Sequence, residues 1–168
     1  TTLDFGIEEK TLSAVKKNAG LLKFISEERI RDEFVKIVMS DNPSKGIELL
    51  RETELLKNVV PELIEGYQVG QNKHHIYEVY DHSIKSLQFG AKENFNKYVR
   101  LAALFHDIGK PRVKEGKGAD STFYNHEIVG AKMTAKILER LKFPKKELEK
   151  IVKLVRYHLF YYNIGEVQ

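Results

Sequence analysis

Two adjacent residues, His106 and Asp107, close the apolar run Val99-Arg100-Leu101-Ala102-Ala103-Leu104-Phe105 and are followed at once by Ile108-Gly109-Lys110. A carboxylate sunk in such a run without compensation costs several kcal/mol, so a charged partner belongs beside it. With His82 upstream and His126 and His158 downstream, the natural partner is a divalent cation. Imidazoles with a carboxylate and no sulfur favour Mn, Fe, Co, Ni or Zn, and accept Mg only if water completes the shell. The implied chemistry is metal-dependent attack on a phosphoester. His82, His106, Asp107, His126 and His158 are the candidate ligands of one or two ions, and Asp107 and Lys110 are the candidate catalytic residues.

Each assignment has a simpler reading beside it. His126 is either a ligand or part of a helix start next to Asn125, and His158 is either a ligand or a cation near a helix end. Lys110 either reaches a phosphate oxygen from the rim or is one more surface lysine after a helix end. Gly109 before it is expected to leave the helix in a left-handed conformation. His74 and His75 are read as solvated side chains.

Metal coordination requires ligands from separate rigid elements, and the elements here are helices. Leu12, Val15, Ala19 and Leu22 form one helical stripe that ends near Ser26, the expected N-cap of a second helix burying Ile30, Phe34, Ile37 and Val38. Asn42-Pro43 reads as the N-cap and first position of a third helix. A short apolar piece over 55–60 stops at Pro61, and 66–73 is connector. The periodicity predicts a helix over 75–89, with His82 pointing away from its apolar stripe. A helix over 95–108 is apolar almost all round and forms the buried centre. Ala102 and Ala103 share the face of His106 and leave room for an ion and its waters. Residues 111–125 are a polar loop long enough for an active-site flap. Two amphipathic helices follow, one with Ile128, Ala131, Ala135 and Leu138, the other with Leu148, Ile151, Val152, Val155 and Leu159. No segment alternates like a strand, so the fold class is all-α.

Composition excludes other classes. The 168 residues are 42% hydrophobic and 31% charged, a balance typical of a globular chain with a sizeable core. With no cysteine, disulfides, thiolate zinc sites and a Cys nucleophile are excluded. No apolar stretch has membrane-span length, and a cytoplasmic location is expected. The net charge of +4 permits a phosphate-rich partner. Lys142, Lys145, Lys146 and Lys150 nevertheless read as helix-surface lysines, without the interleaved exposed aromatics of a single-strand binder.

His82 followed by His106-Asp107-Ile108-Gly109-Lys110 resembles the signature of the HD superfamily of metal-dependent phosphohydrolases, and His126 and His158 resemble the extra histidines of its binuclear members. The later aspartate of that superfamily has no counterpart here, since Glu166 is the only acidic residue after His158. Phe5-Gly6-Ile7-Glu8-Glu9-Lys10-Thr11, Ile25-Ser26-Glu27-Glu28-Arg29-Ile30 with Glu33, Gly46-Ile47-Glu48-Leu49-Leu50 and Val59-Val60-Pro61-Glu62-Leu63 are together similar to the neck of bacterial CCA-adding tRNA nucleotidyltransferases and their poly(A) polymerase relatives. Arg29 and Glu33 are also a helical i, i+4 pair.

This resemblance implies a helical neck over 1–65 and a helical HD domain over 66–168 that stops short at its C-terminal end. The nucleotidyltransferase head would lie upstream of Thr1, so nucleotide addition by this chain alone is not expected. The implied substrates are 2′,3′-cyclic phosphates, 2′-nucleotides or other phosphoesters of RNA ends. The alternative is a non-catalytic body that positions tRNA for the head.

Overall fold

The computed structural model describes residues 6–71 and 77–159. Helix α1 (Glu9–Asn18) runs into a 3-10 segment (Ala19–Phe24), followed by α2 (Glu27–Met39), α3 (Pro43–Glu52), and the short turns α4 (Leu56–Val59) and α5 (Pro61–Ile64). After the connector come α6 (Val79–Lys92), α7 (Lys97–Phe105), α8 (Lys110–Val113), a 3-10 turn (Gly118–Asp120), α9 (His126–Arg140) and α10 (Lys145–Arg156). Among the described residues the only β pairing is an isolated bridge between Glu115 and Thr122. The all-α expectation holds.

Sequence spacing explains which faces are buried. Ile30, Phe34 and Val38 recur every fourth residue and form the inner face of α2. Ile151 and Val155 do the same on α10. Helix α7 lies at the centre, packed against α2, α6 and α10, while α10 also packs on α9 and α3 on α6. One continuous apolar core results, running from Ile30, Phe34 and Ile47 through Leu87, Leu101 and Phe105 to Ile137 and Ile151. It crosses position 65 without a break.

Several boundaries differ from the sequence reading. The first stripe is split where the α-helix tightens at Ala19, and α1 itself contains no buried residue. The short piece does stop before Pro61, and the proline then starts a new turn, since a proline at the first helical position gives up an N–H that has no partner there anyway. Ser26 and Asn42 sit at N-cap positions without a side-chain cap bond. Asn96 does cap, accepting from the Tyr98 and Val99 N–H groups and starting α7 two residues later than predicted. Helix α6 begins at Val79 and extends to Lys92, while His74, His75 and Ile76 lie outside the described residues. Glu33 pairs with Lys36 rather than with Arg29. The loop over 111–125 is partly built: α8, the Glu115–Thr122 bridge and buried Ser121 and Phe123 hold it in place.

Arg100, read as a member of the apolar run, is buried and acts as a joint. Its guanidinium donates to the carbonyls of Phe95 at 2.8 Å, Ser40 at 3.0 Å, Val38 at 3.3 Å and Ala91 at 3.4 Å. These acceptors lie at or near the C-terminal ends of α2 and α6, where helix carbonyls have no intrahelical donor and the dipole favours a cation. Arg100→Met should therefore destabilise the chain by about 2–4 kcal/mol in urea unfolding. A loss below about 0.5 kcal/mol would show that water satisfies these carbonyls equally well.

Candidate metal centre

The end of α7 does not continue as helix: His106, Asp107, Ile108 and Gly109 form a tight turn that leads directly into α8. Gly109 has φ −79° and ψ −19°, an ordinary right-handed conformation, so the left-handed exit predicted for it is incorrect. Its missing side chain is explained by proximity instead. A Cβ at Gly109 would clash with the His126 carbonyl oxygen and lie 2.6 Å from the Gly130 amide nitrogen. A Cβ on Gly130 would by contrast meet only ordinary contacts, 3.4 Å from the Gly109 nitrogen and 3.5 Å from the His106 oxygen. Gly109 thus lets the His106–Gly109 turn lie directly on the first turns of α9. That contact brings His126 to the carboxylate.

Asp107 is buried, and its two oxygens face different histidines. Oδ2 lies 3.2 Å from His106 Nε2 and 3.5 Å from His82 Nε2. Oδ1 lies 3.3 Å from His126 Nε2 and 3.8 Å from His158 Nε2. The imidazoles also pair among themselves, His82 with His106 at 3.1 Å and His126 with His158 at 3.3 Å between Nε2 atoms. Ligand atoms bound at about 2.1 Å with angles of about 90–110° lie about 3.0–3.4 Å apart, close to these separations. The result is two three-ligand groups, His82–His106–Asp107 and Asp107–His126–His158, joined through one carboxylate.

Backbone carbonyls set the histidine tautomers. Nδ1 of His106 donates to the Ala103 carbonyl at 2.8 Å, that of His126 to Phe123 at 2.8 Å, and that of His158 to Val155 at 2.7 Å. A carbonyl can only accept, so each Nδ1 carries hydrogen, and each Nε2, turned to Asp107, donates to the carboxylate when the ring is protonated and offers its lone pair to a cation when the ring is neutral. Such outer bonds orient the imidazoles of metal sites and raise their basicity. Burial pushes the His158 imidazole below its ordinary pKa against the opposing pull of the Val155 carbonyl, with the neighbouring His106 lowering it further. Burial also pushes the Asp107 carboxyl up, but hydrogen bonds with His106 and His126 and the Lys110 charge outweigh it and hold the group well below the usual carboxylate range. An ionised carboxylate facing converging imidazole nitrogens fits a divalent cation.

All five candidate ligands therefore meet in one place. Lys110 is with them but not as expected: it is buried, neither a surface lysine nor at the rim. Its ammonium donates to Asp107 Oδ2 at 2.8 Å and to Gln71 Oε1 at 2.7 Å, and lies 5.5 Å from the Phe123 ring centre. Gln71 is a member of this constellation that sequence reasoning missed. It sits in the connector, where nothing in its type or neighbours distinguishes it, and its Nε2 donates to the Tyr77 carbonyl. Glu127 is another, 3.9 Å from His126 Nδ1 and 3.5 Å from Arg156. The cluster opens into a cleft of about 690 Å³ bordered by Thr122, Phe123 and Tyr124. Ala102 and Ala103 do not line that cleft. They face a separate groove on the other side of the His82, His106 and His158 rings.

Comparison with known proteins agrees with this geometry, because residues 74–166 match the HD domain. The chain belongs to the HD-domain family. Ahead of the HD domain, residues 4–66 match the region described as the probable RNA- and SrmB-binding site of polymerase A. An A-adding tRNA nucleotidyltransferase of Deinococcus radiodurans is 34% identical over 168 residues, covering 95% of this chain and 39% of that protein. A multifunctional CCA protein of Neisseria meningitidis is 30% identical, covering 98% of the chain and 40% of the relative. For a CC-adding tRNA nucleotidyltransferase of Thermus thermophilus the identity is 30%, covering 94% and 38%. The chain thus spans about two fifths of the length of these relatives. It is the RNA-binding neck and HD region of the tRNA nucleotidyltransferase and poly(A) polymerase family. Among the described residues no helix is long and apolar enough to cross a membrane.

The glycine contact gives a direct test of the site's assembly. Gly109→Ala should cost about 1–3 kcal/mol of stability through overpacking against α9. It should also reduce the rise in Tm that Mn²⁺ gives the wild type. An unchanged Mn²⁺-induced shift would mean that the Asp107–His126 contact does not depend on this packing.

Proposed function

We propose that the HD domain hydrolyses phosphoesters at RNA ends, among them 2′,3′-cyclic phosphates and 2′-nucleotides, with one or two divalent ions held by His82, His106, Asp107, His126 and His158. The observation that carries this reading is the division of the Asp107 oxygens between two histidine pairs, an arrangement suited to a shared carboxylate ligand. When bound, divalent ions at these groups acidify water and withdraw charge from phosphoryl oxygens. Water oxygen forms a bond to phosphorus as the P–O bond to the ribose oxygen breaks, and the proton passes to that leaving oxygen.

The chain's own residues prepare the site for this reaction. The Ala103, Phe123 and Val155 carbonyls hold three imidazoles with Nε2 directed inward. Lys110 acts as a positioning residue: by bonding to Oδ2 it keeps Asp107 ionised and fixed in rotation. Its third N–H remains for a phosphate oxygen, which keeps the contact expected from sequence but moves it from the rim to the floor of the cleft.

A second reading, an RNA-positioning body without hydrolytic activity, is favoured by the match of residues 4–66 to an RNA-binding region. Under either reading the chain works with tRNA or related RNA in the cytoplasm, alongside the nucleotidyltransferase activity named in its relatives. Hydrolysis of 2′,3′-cyclic AMP in the presence of Mn²⁺, Ni²⁺ or Mg²⁺ separates the two. The hydrolase reading predicts turnover that falls by at least about 100-fold in Asp107→Ala and about 10–100-fold in Lys110→Met. Folded wild-type chain that is inert with every ion, or Asp107→Ala that keeps full activity, would overturn it in favour of the second.

A further inference from the structure

The groove on the far side of the histidines has a volume of about 1050 Å³. Ligand pockets for drug-sized molecules run from about 300 to 1,000 Å³, so this one accommodates more than a mononucleotide. Its walls come from α6, the start of α7 and the outer face of α10. Five aromatic side chains line it: Tyr77, Phe89, Phe95, Tyr98 and Tyr157. Phe89 and Tyr157 are 58% and 60% exposed, far more than packing alone requires of rings this large. Phe89 and Phe95 meet edge to face at 6.4 Å, which leaves one ring face open to the groove.

Among the described residues, charge in the groove has one sign: Lys85, Lys150 and Lys153 line it and no carboxylate does. The Lys85 ammonium lies 3.0 Å from the Tyr77 ring centre and that of Lys150 5.0 Å from Tyr98, so cations and aromatic faces alternate along the wall. Lys150, Lys153, Leu154 and Tyr157 fall at helical i, i+3, i+4 and i+7 on α10, opposite the buried Ile151 and Val155. The sequence reading set Lys150 aside for want of aromatic neighbours. Those neighbours come from α6 and α7, over 50 residues upstream in the chain.

Stacking rings with interleaved cations and no acid are the combination that holds single-stranded nucleic acid. One end of the groove is formed by His82, His106 and His158, which also border the metal cleft. We infer that this groove seats a single-stranded RNA end, with bases stacked on its aromatic rings and phosphates on Lys85, Lys150 and Lys153, and delivers the terminal phosphoester to the histidine–aspartate cluster. The direction of the strand rests on the hydrolase reading. The binding itself does not.

The test therefore measures binding without catalysis. Fluorescein-labelled oligo(A) hexamer is titrated with the full chain in EDTA and followed by anisotropy. Phe89→Ala and Tyr157→Ala, both at exposed positions, should each weaken binding by about tenfold or more. The double variant Lys150→Ala, Lys153→Ala should make the slope of log K against log salt shallower by about 1.4. Duplex RNA of the same length should compete poorly. If the two aromatic variants and the double lysine variant leave hexamer affinity and salt slope at wild-type values while circular dichroism shows intact helices, the groove does not bind RNA and belongs to another occupant. Equal affinity for duplex would overturn the stacking account in the same way. Where the chain also hydrolyses cyclic nucleotides, Phe89→Ala should raise KM for 2′,3′-cyclic AMP without lowering kcat, and leave base-free glycerol cyclic phosphate unaffected.

Discussion

A single buried carboxylate organises this molecule. Asp107 sits at the end of the central helix, where its charge is tolerable only with several partners of opposite sign or with donors held in place. Four imidazoles and one ammonium meet that need, and each is delivered by a different part of the chain. His82 comes from α6, His106 and Lys110 from either side of the same turn, His126 from the start of α9 and His158 from the turn after α10. The packing of these helices is in this sense the positioning of ligands around one oxygen pair.

Two devices make that packing possible. Gly109, packed against the backbone of His126 and Gly130, removes the side chain that would separate the Asp107 turn from α9. Arg100, about two turns before Asp107 on α7, binds the carbonyl ends of α2 and α6 and so ties the N-terminal helices to the element that carries the site. The first device brings His126 Nε2 to 3.3 Å from Asp107 Oδ1. The second fixes α7 relative to α2, which lies in the region that matches the probable RNA- and SrmB-binding site of polymerase A.

Much of this was legible in the residues themselves. Histidines isolated on otherwise ordinary amphipathic helices, and an His-Asp pair ending an apolar run, singled out the five residues that the fold brings together around Asp107, because buried ionisable groups are rare without a purpose. Helical periodicity gave the elements, within a few residues at their ends. What could not be read was whatever depends on distant partners. Gly109 looked like a helix-ending glycine because sequence shows conformational need and not close approach. The burial of Lys110, read as a rim or surface lysine, was hidden because Gln71, which buries it, is 39 residues away in sequence. The role of Arg100 within the apolar run was hidden because its acceptors are backbone carbonyls, which every residue has. The aromatic groove was invisible for the same reason, its rings and lysines being contributed by three helices.

The claim on which the rest depends is that Asp107 serves two cation sites at once. Anomalous scattering from crystals of the chain grown with Mn²⁺ measures this directly. The account predicts two peaks, one within about 2.0–2.3 Å of His82 Nε2, His106 Nε2 and Asp107 Oδ2, the other equally close to Asp107 Oδ1 and the Nε2 atoms of His126 and His158. A map with no peak at Asp107, or with Mn²⁺ bound elsewhere while both Asp107 oxygens keep only protein partners, would contradict it.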